Sequence, residues 1–202
     1  MSETKNRPYH HGDLRRALID TALVMLAADQ NWTFTLREVA RRTGVSHAAP
    51  YKHFRDREML LRELARIGFV RLGESMTEAM SLDLSSTRAY FMAAAQACIG
   101  FACQNPGLYR LMFSSDADKT IDPPLHDAAI STFGILLGLL ERGQRDGSFG
   151  PVAVSALAAA SWAQVHGLAM LAISHQLLEE KVGSAPVPAA LDVLLDGMCC
   201  SV

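Results

Sequence analysis

The chain has 202 residues, half of them hydrophobic and a fifth charged. That excludes a disordered polymer and gives enough length to bury a sizeable core. A formal charge of −2 conceals an asymmetry, with +4 on residues 1–66 and −6 on residues 67–202, which suits a polyanionic partner confined to one end.

Residues 1–9 are polar and read as an arm, and MSETKNRPYHH lacks the apolar run of a secretory leader. From Asp13 to about Asp29, the residues Leu14, Leu18, Ala22, Met25 and Leu26 form a helical stripe. Thr35 and Glu38 have the spacing of a capping box, and Leu36, Val39 and Ala40 give the helix they open an apolar face. Gly44 stops that helix because it adopts a left-handed backbone without a Cβ penalty. Val45 tucks beneath the turn, and Ser46 is placed to cap a second helix running from His47 to about Phe54. Two short helices across a Gly-containing turn are a helix-turn-helix pattern, whose second member lies in a DNA major groove. Small residues at Ala40, Ala48 and Ala49 permit close approach. Arg37, Arg41, Arg42, Lys52, Arg55 and Arg57 supply charge, with Tyr51 and His53 interleaved.

Asp56 caps a fourth helix over 57–80, a span of about 36 Å. LDLSST (82–87) is a break, with Ser85 or Ser86 capping a helix over 87–104. Asn105-Pro106 ends that helix and starts a short one, and SSDADKTIDPP (114–124) is a polar loop. A helix over 125–146, a break at 146–151, a long helix to about Leu178, a linker GSAPVP (183–188) and a last helix over 189–199 complete the chain. No strand pattern alternates convincingly. Residues 147–178 contain no charged side chain, but polar interruptions favour a helix buried by its own core and a partner subunit over a membrane span. Cys98, Cys103, Cys199 and Cys200 show no C-x-x-C spacing and are expected as thiols in a reducing cytoplasm.

TLREVARRTGVSHAAPYKHF followed by RDREMLL, preceded by YHHGDLRRALIDTALVMLA, resembles the DNA-binding segment of the TetR family of bacterial transcription regulators over residues 9–62. NPGLYRLMF (105–113) and WAQVHG (162–167) are similar to a subgroup with a W-x3-H-G signature. The resemblance implies an all-α fold with a three-helix helix-turn-helix domain (1–56), a linking helix (57–80) and a C-terminal helical domain for ligand binding and dimerisation (81–202). It implies DNA contacts at Thr35, Arg37, Ser46, His47, Ala48, Ala49, Tyr51, Lys52, His53 and Arg57. Ala48 and Ala49 offer only methyl contact to bases, so phosphate contacts are expected to dominate affinity. Pro50 departs from the branched aliphatic common in the family. Lys5, Arg7, His10 and His11 are candidates for an arm along the minor groove or backbone.

Taken singly, the C-terminal aromatics and methionines serve a core more often than a pocket. Phe91, Tyr109, Met112, Phe113, Trp162, His166 and Met170 are the candidate ligand-lining set. Trp162 and His166, four apart, share a helix face. The implied partners are a palindromic duplex operator, a small-molecule effector and a second copy docked through 151–178 and 189–200. No cofactor, metal or membrane is expected. The alternatives are a DNA-binding dimer without ligand and an all-α carrier or enzyme using His166 or Cys103. No nucleophile–base–carboxylate set or H-E-x-x-H spacing supports an enzyme.

Overall fold

Polar side-chain caps fix where four of the helices begin. Thr35 Oγ1 accepts from the Glu38 amide (3.2 Å) while the Glu38 carboxylate accepts from the Thr35 amide (2.7 Å). Asp56, Ser86 and Asp122 each accept from the amide three residues on, satisfying donors with no partner inside the helix. The computed structural model describes residues 11–29 and 31–199. Its helices are α1 (His11–Ala28), α2 (Leu36–Thr43), a 3-10 turn (Ala49–Lys52), α3 (Arg57–Ala79), α4 (Thr87–Gln104), α5 (Pro106–Met112), α6 (Pro123–Arg145), α7 (Val154–Ile173), α8 (Glu179–Val182) and α9 (Pro186–Met198). No strand occurs among the described residues. Lys5, Arg7, His10, the His11 side chain and Cys200 lie outside them.

The boundaries expected from the sequence differ at three places. The second helix of the helix-turn-helix is a single 3-10 turn, and Ser46 supplies its carbonyl to the Ala49 amide (3.0 Å) without a side-chain cap. Pro50 lacks an amide hydrogen and sits buried in the first turn, and its carbonyl accepts from both His53 and Phe54 (2.9 Å each), tightening the segment. Next, α7 ends at Ile173 because His175 takes a left-handed backbone (φ 53°) and donates back to Ala172, while Gln176 donates to Leu171. Gly is the usual residue there, so the sequence gives little warning. Finally, α9 starts inside the expected linker, because Pro186 and Pro188 occupy a first turn whose amides need no helical partner.

One apolar cluster runs through the molecule. Around α1, α2 and the N-terminal half of α3 it contains Leu18, Ala22, Val39, Phe54, Leu60, Leu61 and Leu64, all fully enclosed. Further along, α3 packs against α4, α5 and α6, and α4 packs against α7. The α7–α9 pair closes the end, with Leu191 and Leu195 fully buried.

Two glycines contrast in how tightly they are packed. A Cβ at Gly143 would lie 2.0–2.9 Å from the Phe149 ring, and one at Gly68 would lie 2.6 Å from the Met112 sulfur. A ring wedged under a helix yields less than a thioether. Gly143→Ala is expected to destabilise the protein by about 1–3 kcal/mol and Gly68→Ala by less. Chemical denaturation of the two variants checks the order.

Candidate nucleic-acid interface and effector cavity

Gly44 (φ 78°) caps α2, its amide and that of Val45 returning to Arg41 and Ala40. The chain therefore reverses sharply, and the 3-10 turn projects beside the start of α2. Thr35, Arg37, Ser46, His47, Ala48, Tyr51 and Lys52 are exposed on these segments, Tyr51 at 51%. Arg41 and Arg42 add exposed charge along α2. Ala49 and His53 are half-buried, Ala49 packing against the core.

Arg57 is turned inward. Its Nε donates to the Phe34 carbonyl (2.9 Å) and its Nη2 to the Trp32 carbonyl. The guanidinium thereby ties the α1–α2 connection to the first turn of α3, a task its position in a motif did not reveal. Trp32 also sends its indole Nε1–H to Asp116 (2.7 Å) on the 113–122 loop. Arg15 bridges Glu63 (2.9 Å) and lies over the Phe54 ring, while Arg62 bridges Asp122 (3.3 Å) at the start of α6. The helix-turn-helix segments are thus coupled to α3 and to the loop before α6.

Between α3, α4, α6 and α7 lies a cavity of about 510 Å³ with an almost wholly apolar wall. Five of the seven expected lining residues, Phe91, Tyr109, Phe113, Trp162 and His166, form part of it. Met112 does not, being fully buried against Gly68, and Met170 packs half-buried against the core outside the wall. Trp162, His166 and Phe133 form an aromatic side, with Trp162 edge-on to Phe133 at 6.2 Å. Phe69, Leu72 and Met76 bring α3 itself into the wall.

Three polar groups of the cavity lie together. Tyr109 Oη and His166 Nδ1 are 3.1 Å apart, and the Cys98 thiol neighbours the same hydroxyl. Burial pushes Cys98 up to about 11 and Tyr109 well above the usual phenol range, with Cys98 adding to the Tyr109 shift. Burial also lowers His166 from 6.5, favouring the neutral imidazole. These are hydrogen-bonding groups held uncharged, unlike an activated nucleophile. Cys103 and Cys199 are exposed thiols, and no cluster of three metal-binding side chains occurs among the described residues. Lys119, from the polar 113–122 loop, also lines the cavity. The sequence did not single it out, because a lysine in a polar loop ordinarily points to solvent.

Residues 18–64 match the profile described as bacterial regulatory proteins, tetR family, and residues 91–198 match the tetracyclin repressor-like C-terminal domain. No curated protein matches the chain significantly. A solved structure of a protein of unknown function from Rhodococcus sp. RHA1 is 35% identical, covering 96% of this chain and 100% of its own, with a TM-score of 0.85. A tetR-family regulatory protein from Rhodococcus RHA1 is 19% identical over 93% of this chain and 98% of its own (TM-score 0.68). A TetR family transcription regulator from Marinobacter aquaeolei VT8 is 16% identical over 91% and 94% (TM-score 0.68). At those two identities the likeness concerns the fold. The C-terminal match alone spans more than half the chain, and with the N-terminal match it shows that this protein belongs to the TetR family of bacterial DNA-binding transcription regulators.

Proposed function

We propose that the protein is a cytoplasmic homodimeric repressor that leaves a palindromic operator when a small apolar or amphipathic ligand fills the cavity. The observation that carries this reading is that Phe69, Leu72 and Met76 of α3 line the cavity, while the first turn of the same helix grips the DNA-facing segments through Arg57. Residues 1–56 act as the reading head, α3 as the link and residues 81–202 as the effector and dimerisation domain. A ligand that displaces α3 or the 113–122 loop re-aims the head, and by linkage DNA weakens ligand binding by the same factor. A regulator without ligand leaves the cavity without a role. Of the W-x3-H-G residues, Trp162 and His166 line the cavity, which supports a ligand-related role for that signature.

On the DNA side, Thr35, Arg37, Ser46, His47, Ala48, Tyr51 and Lys52 make the contacts, mostly to phosphates. Arg57 and His53 support them by position. The partner copy docks on α7 and α9, whose outward faces expose Trp162 (49%), Leu171 and Val193 (71%) beside Ala156, Ala159, Ala160 and Ala163. By length and composition α6 and α7 could each cross a membrane. Ser161 and His166 on α7 point into the protein's own interior, and Gln164 donates to the Ala190 carbonyl of α9, which fits a helix packed in its own fold better than one facing lipid.

Selection of bound fragments from random duplex DNA should recover a palindrome whose affinity falls steeply with added salt. Salt-insensitive or absent duplex binding counts against the reading. On that duplex, Tyr51→Ala should weaken binding by about 1 kcal/mol with thermal stability unchanged. Arg57→Ala should lower thermal stability as well as affinity, because it strands two backbone carbonyls. Val193→Arg should shift the protein towards monomer in sedimentation velocity and lower operator affinity, with the helical content of each chain retained.

A further inference from the structure

Among the described residues that line the cavity, Lys119 is the only lysine or arginine, and no aspartate or glutamate joins it. Its Nζ donates to the Met112 carbonyl (2.8 Å) and lies 5.3 and 5.7 Å from the centroids of the Phe69 and Phe113 rings. No carboxylate of a described residue comes within ion-pair distance of it. The neighbouring Asp118 instead accepts from the Thr120 amide and hydroxyl (2.8 and 2.7 Å). An ammonium group carries three donors, and one is used here. The cation is half-buried, and that burial lowers its pKa. A lysine placed only for solubility keeps its head in water.

A neutral ligand filling this space would strip water from the ammonium and return no charge, a costly exchange. A carboxylate would replace that water with charge-assisted hydrogen bonds. On this basis, and resting on the cavity being the effector site, we propose that Lys119 receives the anionic head of the effector, a carboxylate carried on an apolar body. The body lies along Leu72, Met76, Phe91 and Leu136, and the neutral Tyr109–His166 pair packs against the same Phe113 ring that the cation approaches, 4.5 Å separating the Phe113 and His166 centroids. Because Lys119 and Asp116 share one loop, drawing the ammonium off the Met112 carbonyl also pulls on the Asp116–Trp32 hydrogen bond.

The competing role is a clamp, in which Lys119 merely fastens the loop to the end of α5. Calorimetric titration of the full chain with decanoate and with decan-1-ol separates the two. Decanoate should bind about tenfold or more tightly than the alcohol. Lys119→Met should erase that preference with the alcohol affinity changed less than twofold, and Lys119→Arg should retain it. Equal binding of acid and alcohol by the wild-type chain, or a preference that survives in Lys119→Met, overturns the proposal while leaving the cavity as an effector site. Binding of neither probe overturns both. The wild-type comparison stands even if a variant fails to fold.

Discussion

One helix runs through both ends of the single apolar cluster, and the arrangement depends on that span. The N-terminal half of α3 buries Leu60, Leu61 and Leu64 completely, together with Leu18, Val39 and Phe54 of the helix-turn-helix domain. The following turns bury Phe69, Leu72 and Met76 against α4, α5 and α6. An α-helix with intact backbone hydrogen bonds transmits displacement as a near-rigid rod, so neither end of the cluster can shift without straining the other. Burying a leucine stabilises by about 1.5–3 kcal/mol, so the three enclosed leucines outweigh any exposed ion pair in holding the head.

Polar contacts then give this apolar joint its direction. Arg57 holds the Trp32 and Phe34 carbonyls, Trp32 reaches Asp116, and Arg62 meets Asp122. The backbone at Trp32 is itself left-handed (φ 41°), an uncommon state for a bulky residue. A hydrogen bond accepted by its carbonyl and one donated by its indole hold the residue there. The α1–α2 connection is therefore fastened to the body at two points, the start of α3 and the 113–122 loop. Apolar burial resists separation but is non-directional; these contacts specify orientation, the property that the proposed pair of heads on one duplex would require.

Four helix starts were legible from a cap or a first-turn proline, whereas Asp122 with Pro123 fell in the expected loop and Pro186 with Pro188 in the expected linker. Thr35 with Glu38, Asp56, Ser86 and Pro106 each stand within a residue of an observed start. What escaped the sequence was structure set by tertiary contact or by an unusual backbone. His175 ends α7 in a conformation normally given to glycine, and Pro50 compresses the second helix to a 3-10 turn. At the cavity, helical spacing brought Trp162 and His166 to one side. Periodicity does not distinguish a residue beside an open space from one in a filled core, so Met112 and Met170 were grouped with the lining aromatics. Lys119 and Asp116 lie in a loop without periodicity, and only the folded chain brings one to the cavity and the other to Trp32.

Magnitudes limit what the cavity can do. Moving an equilibrium from 1:99 to 99:1 takes about 5.5 kcal/mol of differential affinity. A ligand of about twenty non-hydrogen atoms at about 0.3 kcal/mol each binds with about 6 kcal/mol in all. In the proposed response, one subunit acting alone would need nearly all of that energy to distinguish the two states, which contact with a static apolar wall does not provide. Two sites in the proposed dimer would halve the demand on each. The groups that would make binding state-dependent are those on α3 and its tethered loop, namely Phe69, Leu72, Met76 and Lys119. An apolar wall built partly from α3, with a cation on the loop that holds Trp32, would place much of the binding energy on the parts proposed to move.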